Sequence, residues 1–150
     1  MCKYANVQNP AVEILFTECL MRKELIDNNP LLKLSIAFSI EIIDYCERLN
    51  EQKKFVLANQ LMRSATSIGA NAMETQNPEN KADFIHKMKI AAKEAGETQY
   101  WLILCERSAN YPDPIGLVEK VEELNRILGS IISTAKRKNP LNYILSFFIF

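Results

Sequence analysis

Residues 83–105, DFIHKMKIAAKEAGETQYWLILC, are the stretch of sequence that decides the fold. Apolar and small side chains recur in it every three or four residues, which places them on one face of an α-helix. The same spacing extends over about 80–110 and returns over about 30–50, 53–76 and 114–138, without any competing strand pattern. The seam of this third helix consists of Phe84, Met88, Ala91, Ala95, Thr98, Leu102, Cys105 and Ala109.

Prolines separate the four helical segments. Each of three prolines follows a residue that is suited to cap a helix, and proline itself is suited to a first helical turn. Short connections join antiparallel neighbours, so the sequence predicts an all-α fold, an up-down-up-down antiparallel four-helix bundle. The three pairs are Asn29-Pro30, Asn77-Pro78 and Asp113-Pro114.

The bundle domain is expected to span residues 29–139. An N-terminal extension over 1–28 precedes it, and a weaker apolar pattern over 11–27 is compatible with an extra N-terminal helix. An apolar C-terminal tail over 140–150 follows the bundle. Its ten-residue end, LNYILSFFIF, is shorter than the roughly 20 residues that cross a bilayer. We therefore expect the tail to pack on the protein or a partner, and we expect no membrane contact.

Composition limits the classes of function. The chain has 150 residues, which suits one domain, and its 18 basic residues balance its 18 acidic residues. Binding to nucleic acid would therefore have to come from a local patch of charge. No two cysteines lie close together in the sequence, so we expect no zinc or redox motif and a reduced, cytoplasmic setting. The cysteines are Cys2, Cys19, Cys46 and Cys105.

The second helix contains an unusual run of small residues within LMRSATSIGANAMET, residues 61–75. Glycine inside a helix costs about 1 kcal/mol relative to alanine, so Gly69 is expected where a side chain would not fit. Ser64, Ser67 and Ala70 are expected to let the third helix approach closely. A notch that binds a small ligand is the alternative interpretation.

Polar residues on the second and third helices are predicted to form a buried structural network. Antiparallel packing around a turn near Pro78 brings Arg63 opposite Glu94, with Glu97 one turn further along. A buried carboxylate is costly unless it is paired, and Arg63 would supply the cation. The complete predicted network is Arg63, Asn71, Glu74, Glu94 and Glu97.

A basic row lies on the side of the third helix opposite its seam. It combines cations with one aromatic ring, which suits contact with phosphates and stacking on bases. A charged outer face is also what any helix exposed to solvent needs, and cations suit a helix C-terminus. The candidate nucleic-acid contacts are His86, Lys89, Lys93, Tyr100 and Arg107, together with Lys136, Arg137 and Lys138 at the end of the fourth helix.

The sequence offers little for catalysis. A di-iron centre in a helical bundle needs two Glu-x-x-His motifs, and His86 is the only histidine of the chain. Gly69 lies inside a helix rather than in a glycine-rich phosphate loop. We predict no catalytic residue, no metal, no cofactor and no small-molecule substrate.

Two motifs resemble a known family. The pattern Q-L-x-R-S-x-x-S-I-x-x-N-x-x-E is matched by residues 60–74, and D-F-x-x-K-x-x-I-A-x-x-E-A-x-E-x-x-Y-W-L by residues 83–102. Over about 30–138 the chain resembles the four-helix bundle proteins linked to 23S rRNA intervening sequences. The resemblance implies an up-down bundle that forms a ring-like homo-oligomer, a pentamer in relatives. Some relatives are accessory proteins of diversity-generating retroelements that bind reverse transcriptase and nucleic acid.

The function expected from the sequence is therefore non-enzymatic. The apolar width of the first and third helices exceeds what one bundle seam uses, and excess apolar surface usually marks an interface. We expect a self-assembling adaptor that recruits RNA or a nucleic-acid enzyme. The alternative is an RNA-binding protein that acts directly through the basic face of the third helix.

Overall fold

The computed structural model describes residues 23–137, and within this range it is helical and contains no strand. Residues 23–28 are helical and lead into four longer helices, which we number from the first of them. The predicted all-α bundle is confirmed. The N-terminal residues 1–22, Lys138 and the tail over 140–150 lie outside the described residues. The four helices are α1 (Pro30–Glu51), α2 (Phe55–Glu74), α3 (Lys81–Arg107) and α4 (Leu117–Arg137).

Asparagine side chains start two of these helices. The Oδ1 atom of Asn29 accepts hydrogen bonds from the backbone N–H groups of Leu31 and Leu32, at 3.1 and 3.2 Å, and Pro30 occupies the first turn of α1. Asn80 caps α3 in the same way. The expectation that Pro78 and Pro114 begin helices was wrong, because α3 begins at Lys81 and α4 at Leu117.

The seam predicted for α3 is buried from Phe84 to Cys105. The prediction for Ala109 was wrong, because Ala109 is exposed and follows the end of α3. Helices that follow each other in the chain pack together, and α4 packs back onto α1. Between α2 and α3, the pair Arg63–Glu97 lies far from the connecting turn and the pair Glu74–Lys87 lies near it, so these helices run antiparallel. The core is therefore one cluster shared by all four helices.

One buried tyrosine connects α1 to the loop between α3 and α4. Tyr45 is fully buried, and its hydroxyl donates a hydrogen bond to the carbonyl oxygen of Pro112 at 2.6 Å. Burial, together with the neighbouring Cys105, raises the pKa of the Tyr45 hydroxyl well above its usual value. Further along, the Nζ of Lys120 on α4 lies 2.5 Å from a carboxylate oxygen of Glu41 on α1. These contacts hold the last helix against the first.

Candidate functional site

The small residues of α2 create close contacts with two helices. A Cβ atom on Gly69 would lie 3.2 Å from the Ser35 Oγ of α1, so the position is tight, as predicted. The neighbour at Gly69 is α1, which the sequence did not identify as its partner, since it assigned only Ser64, Ser67 and Ala70 to the contact with α3. Ser64 does approach α3, since its hydroxyl oxygen lies 3.0 Å from that of Thr98. The expectation for Ala70 was wrong, because Ala70 is exposed.

Arg63, Glu94 and Glu97 come together as the sequence suggested. The Arg63 Nη2 lies 2.5 Å from the Glu97 Oε1, and its Nη1 lies 3.6 Å from the Glu94 Oε2. The Trp101 indole N–H also donates to the Glu97 Oε1, at 3.3 Å. The predicted burial was wrong, because 55% of the Arg63 side chain is exposed. The guanidinium reaches the two carboxylates from the outer edge of the α2–α3 contact.

Glu94 is the one residue of this network with an unusual environment. Only 12% of its side chain is exposed, and its Oε2 atom is buried without a hydrogen bond from any described residue. Its nearest compensation is the Arg63 guanidinium. A surface arginine therefore neutralises a carboxylate that lies just beneath the surface.

The other two predicted members stand apart from this network. The side-chain amide of Asn71 donates to the carbonyl oxygen of Ser67 on its own helix, at 2.8 Å. Glu74 pairs instead with Lys87, and this carboxylate raises the pKa of the Lys87 ammonium. Asn71 and Glu74 therefore have separate local roles.

The predicted basic row is exposed along the outer side of α3. His86, Lys89, Lys93 and Arg107 all face solvent, and none of them forms an ion pair with another residue in 23–137. Tyr100 is 56% exposed, and its ring packs edge-on against Trp101. Lys136 and Arg137 are also exposed, at the end of α4. The row therefore has the accessibility that contact with a polyanion requires.

Three isoleucines on α1 form a second exposed surface, which we call the isoleucine stripe. Ile36, Ile40 and Ile43 follow each other at helical spacing and are 36%, 55% and 39% exposed. Leu32 and Cys46, which continue the same helical spacing at either end of the stripe, are buried. The stripe is thus the part of the apolar width of α1 that the bundle does not cover.

The described residues hold neither a metal-binding cluster nor a membrane-spanning helix. Within residues 23–137, no three His, Cys, Asp or Glu side chains are grouped in a way that could hold a metal ion. None of the described helices combines the length and the apolar character that crossing a bilayer requires.

Comparison with known proteins assigns the bundle to a family. Residues 27–130 match the sequence profile of the family described as 23S rRNA-intervening sequence protein. The chain belongs to this family. It is similar to a crystal structure of a protein of unknown function from the S23 ribosomal protein family of Bacteroides thetaiotaomicron, with 41% identity and a TM-score of 0.65. That match covers 68% of this chain and 97% of the other. None of the curated proteins compared with the chain matches it.

Family membership confirms the resemblance and the bundle, and it leaves the activity open. The Bacteroides relative is itself described as a protein of unknown function. No catalytic role comes with the family description. The function of this member of the family must therefore be argued from its own surfaces.

Proposed function

We propose that this protein is a non-enzymatic scaffold that self-assembles through the isoleucine stripe. The observation that carries this proposal is the exposure of Ile36, Ile40 and Ile43 on one side of α1. Scattered exposed apolar residues are normal, but a contiguous apolar stripe with no cover is typical of an interface. Phe55, at the start of the neighbouring helix α2, is also 54% exposed and adds apolar area near the end of α1.

The arrangement of the helices separates this surface from the basic row. Packing follows the order α1, α2, α3, α4 and back to α1, so α1 and α3 occupy opposite corners of the bundle. Association through the outer side of α1 therefore leaves the outer side of α3 accessible in every copy. An assembly would present several identical basic rows, and weak contacts to one polyanion would add up.

RNA is the partner that the exposed chemistry of α3 favours. Lys89 and Lys93 form no ion pair with another described residue, and Tyr100 is 56% exposed. Cations that track a phosphate backbone and aromatic rings that stack on bases are the usual components of single-strand binding. The same surface would let the scaffold recruit a nucleic-acid enzyme that is bound to such a strand.

Light scattering after size-exclusion chromatography tests the self-assembly. We expect the purified chain to elute as a closed oligomer. Ile40→Lys should lower the measured mass of the assembly, because the substitution would bury a charge at the interface. Ile115→Lys is the matched control, since Ile115 is 79% exposed in the loop before α4 and lies off the stripe. The measured mass also tests the pentamer that the family resemblance implies.

Two outcomes would overturn the proposal. If the wild-type protein is monomeric at every concentration, the proposal of a self-assembling scaffold is refuted. An oligomer that Ile40→Lys and Ile115→Lys leave equally intact would place the interface elsewhere on the bundle.

A further inference from the structure

Two segments, one on α3 and one on α4, carry positive charge without any acidic residue, in a chain whose net charge is zero. Residues 84–93 contain three lysines and the histidine but no acidic residue, and residues 124–137 contain two arginines and one lysine but again no acidic residue. The chain as a whole carries equal numbers of basic and acidic residues. These two segments therefore create a local positive field that the net charge conceals.

The register of α3 against α4 brings the two segments side by side. The Gln99 side chain donates to the Glu122 carboxylate at 3.1 Å and accepts from the Asn125 amide at 3.2 Å. These contacts place Gln99 level with residues 122–125. The Tyr45–Pro112 and Glu41–Lys120 contacts indicate that α4 runs opposite to α1, and the short turns between α1, α2 and α3 make α1 and α3 parallel. The residues before Gln99 therefore lie beside the residues after Asn125. The acid-free parts of both helices consequently meet at one end of the bundle.

Both of these helices carry exposed cations at this end of the bundle. Lys89 and Lys93 lie on the outer side of α3, and Arg126 and Lys136 lie on α4, with Arg137 at the helix end. All five side chains are exposed, and none forms an ion pair with another of residues 23–137. With a rise of about 1.5 Å per residue, Arg126 and Lys136 are roughly 15 Å apart along α4. Five unpaired cations therefore share a surface only a few phosphates long.

Small residues between these cations leave a shallow depression on the surface of the bundle. Gly96 on α3 and Gly129 on α4 are both exposed, and a Cβ atom at either position would meet nothing within 4 Å. Ala92 lies between Lys89 and Gly96 on the same side of α3. Glycine is costly inside a helix, and here it leaves backbone accessible at the centre of a positive surface. We call this surface, with its cationic edges, the α3–α4 groove.

We propose that the α3–α4 groove binds the phosphodiester backbone of single-stranded RNA without regard to base sequence. This inference rests on the RNA-binding part of the proposed function and assigns it a site. Phosphates would lie over the small residues between the lysines of α3 and Arg126 and Lys136 of α4. Arg107 falls outside the site, because it lies 14 residues beyond Lys93, roughly 21 Å along the helix. Beyond Gln99 the neighbouring residue on α4 is the acidic Glu122, which ends the positive surface.

A pair of substitutions at Gly129 tests the groove without removing any cation. Gly129→Glu places a carboxylate between the two edges, and Gly129→Gln places a neutral side chain of the same size there. We expect Gly129→Glu to weaken the binding of a labelled RNA of about 20 nucleotides far more than Gly129→Gln does. Fluorescence anisotropy measures both affinities, and circular dichroism and light scattering establish that both variants fold and assemble like the wild type.

Substitutions that remove one cation each measure how much that cation contributes to the affinity for RNA. For single strands, each phosphate that is neutralised contributes about 0.7 to the slope of log K against log salt, which corresponds to roughly five-fold in affinity at about 0.1 M salt. We expect Arg126→Gln to weaken binding about five-fold and to reduce the salt slope by about 0.7. Lys53→Gln is the control and should change the affinity by less than about two-fold, because Lys53 is exposed in the turn between α1 and α2 and lies outside both the groove and the basic row.

Each alternative result has a definite meaning. Absence of RNA binding by the wild type would overturn the groove and the RNA-binding part of the proposed function, while light scattering would still report on self-assembly. Equal affinities of Gly129→Glu and Gly129→Gln, or an Arg126→Gln variant that binds RNA no more weakly than Lys53→Gln does, would overturn the groove alone. Binding to vesicles rich in phosphatidylserine without binding to RNA would also overturn it, in favour of an anionic membrane surface.

Discussion

The close contact between Gly69 and Ser35 leads us to predict that two glycine-to-alanine substitutions differ in their effect on stability. Replacing a glycine inside a helix with alanine normally stabilises a protein by about 1 kcal/mol. A Cβ atom at Gly96 would meet nothing within 4 Å, so Gly96→Ala should gain this amount. A Cβ atom at Gly69 would lie 3.2 Å from the Ser35 Oγ, and small overpacking of this kind costs about 1 kcal/mol or more. We therefore expect Gly69→Ala to yield no net stabilisation.

Removal of the Ser35 hydroxyl should release the penalty. Ser35→Ala leaves the Ser35 Cβ at 3.5 Å from the new methyl group, which is ordinary contact. In that background, Gly69→Ala should recover most of the helix gain, so the two substitutions should couple by about 1 kcal/mol. Urea denaturation at equal protein concentration measures the free energies of unfolding of the four variants. If Gly69→Ala alone were as stabilising as Gly96→Ala, the proximity of α1 and α2 at this point would be refuted.

Two further predictions concern the surface network and the buried thiols. Arg63→Ala should lower the free energy of unfolding by about 1–2 kcal/mol, because it removes a half-exposed ion pair and leaves the Glu94 carboxylate without its cation. Adding Glu94→Gln should restore part of this loss, whereas a loss above about 4 kcal/mol in Arg63→Ala would indicate a fully buried network. Burial raises the pKa of Cys46 to about 11. The folded protein therefore keeps a proton that the unfolded chain loses above about pH 8.5, and the contribution of this thiol to stability is complete below that pH and declines up to about pH 11. Denaturation at several alkaline pH values should show a shallower decline in Cys46→Ala, and an identical decline would contradict the assignment to this thiol.

The sequence predicts the bundle well because burial follows from periodicity. Met88, Ala95 and Leu102 lie on the seam that spacing alone predicts for α3, and all three are buried. A residue on the seam of a helix must face the core whatever the detailed packing. This part of the structure therefore depends on local spacing and little else.

Contacts between helices are less predictable because they depend on register and on helix rotation. The sequence correctly placed Arg63 near Glu94 and Glu97, since their distances from the turn are similar. It did not reveal that Arg63 reaches them from solvent, or that Gly69 faces α1 rather than α3. Arg126 is absent from the sequence interpretation for the same reason, because its position beside Lys93 follows only from the Gln99 contacts with α4.

The contacts between α1 and α4 have a consequence for how the chain folds. Three of the four helix pairs join neighbours in sequence, and a short turn closes each of them at small entropic cost. The pair of α1 and α4 is the least extensive, and its ion pair from Glu41 to Lys120 bridges a long separation in sequence. The Tyr45 hydroxyl makes a similarly long-range hydrogen bond to Pro112 in the loop before α4. Topologies dominated by local contacts fold quickly, and long-range closure comes after the local structure has formed. We therefore expect α1, α2 and α3 to assemble as consecutive hairpins before α4 docks on α1. The hydrogen bond from the Tyr45 hydroxyl to Pro112 is then expected to be among the last contacts to form.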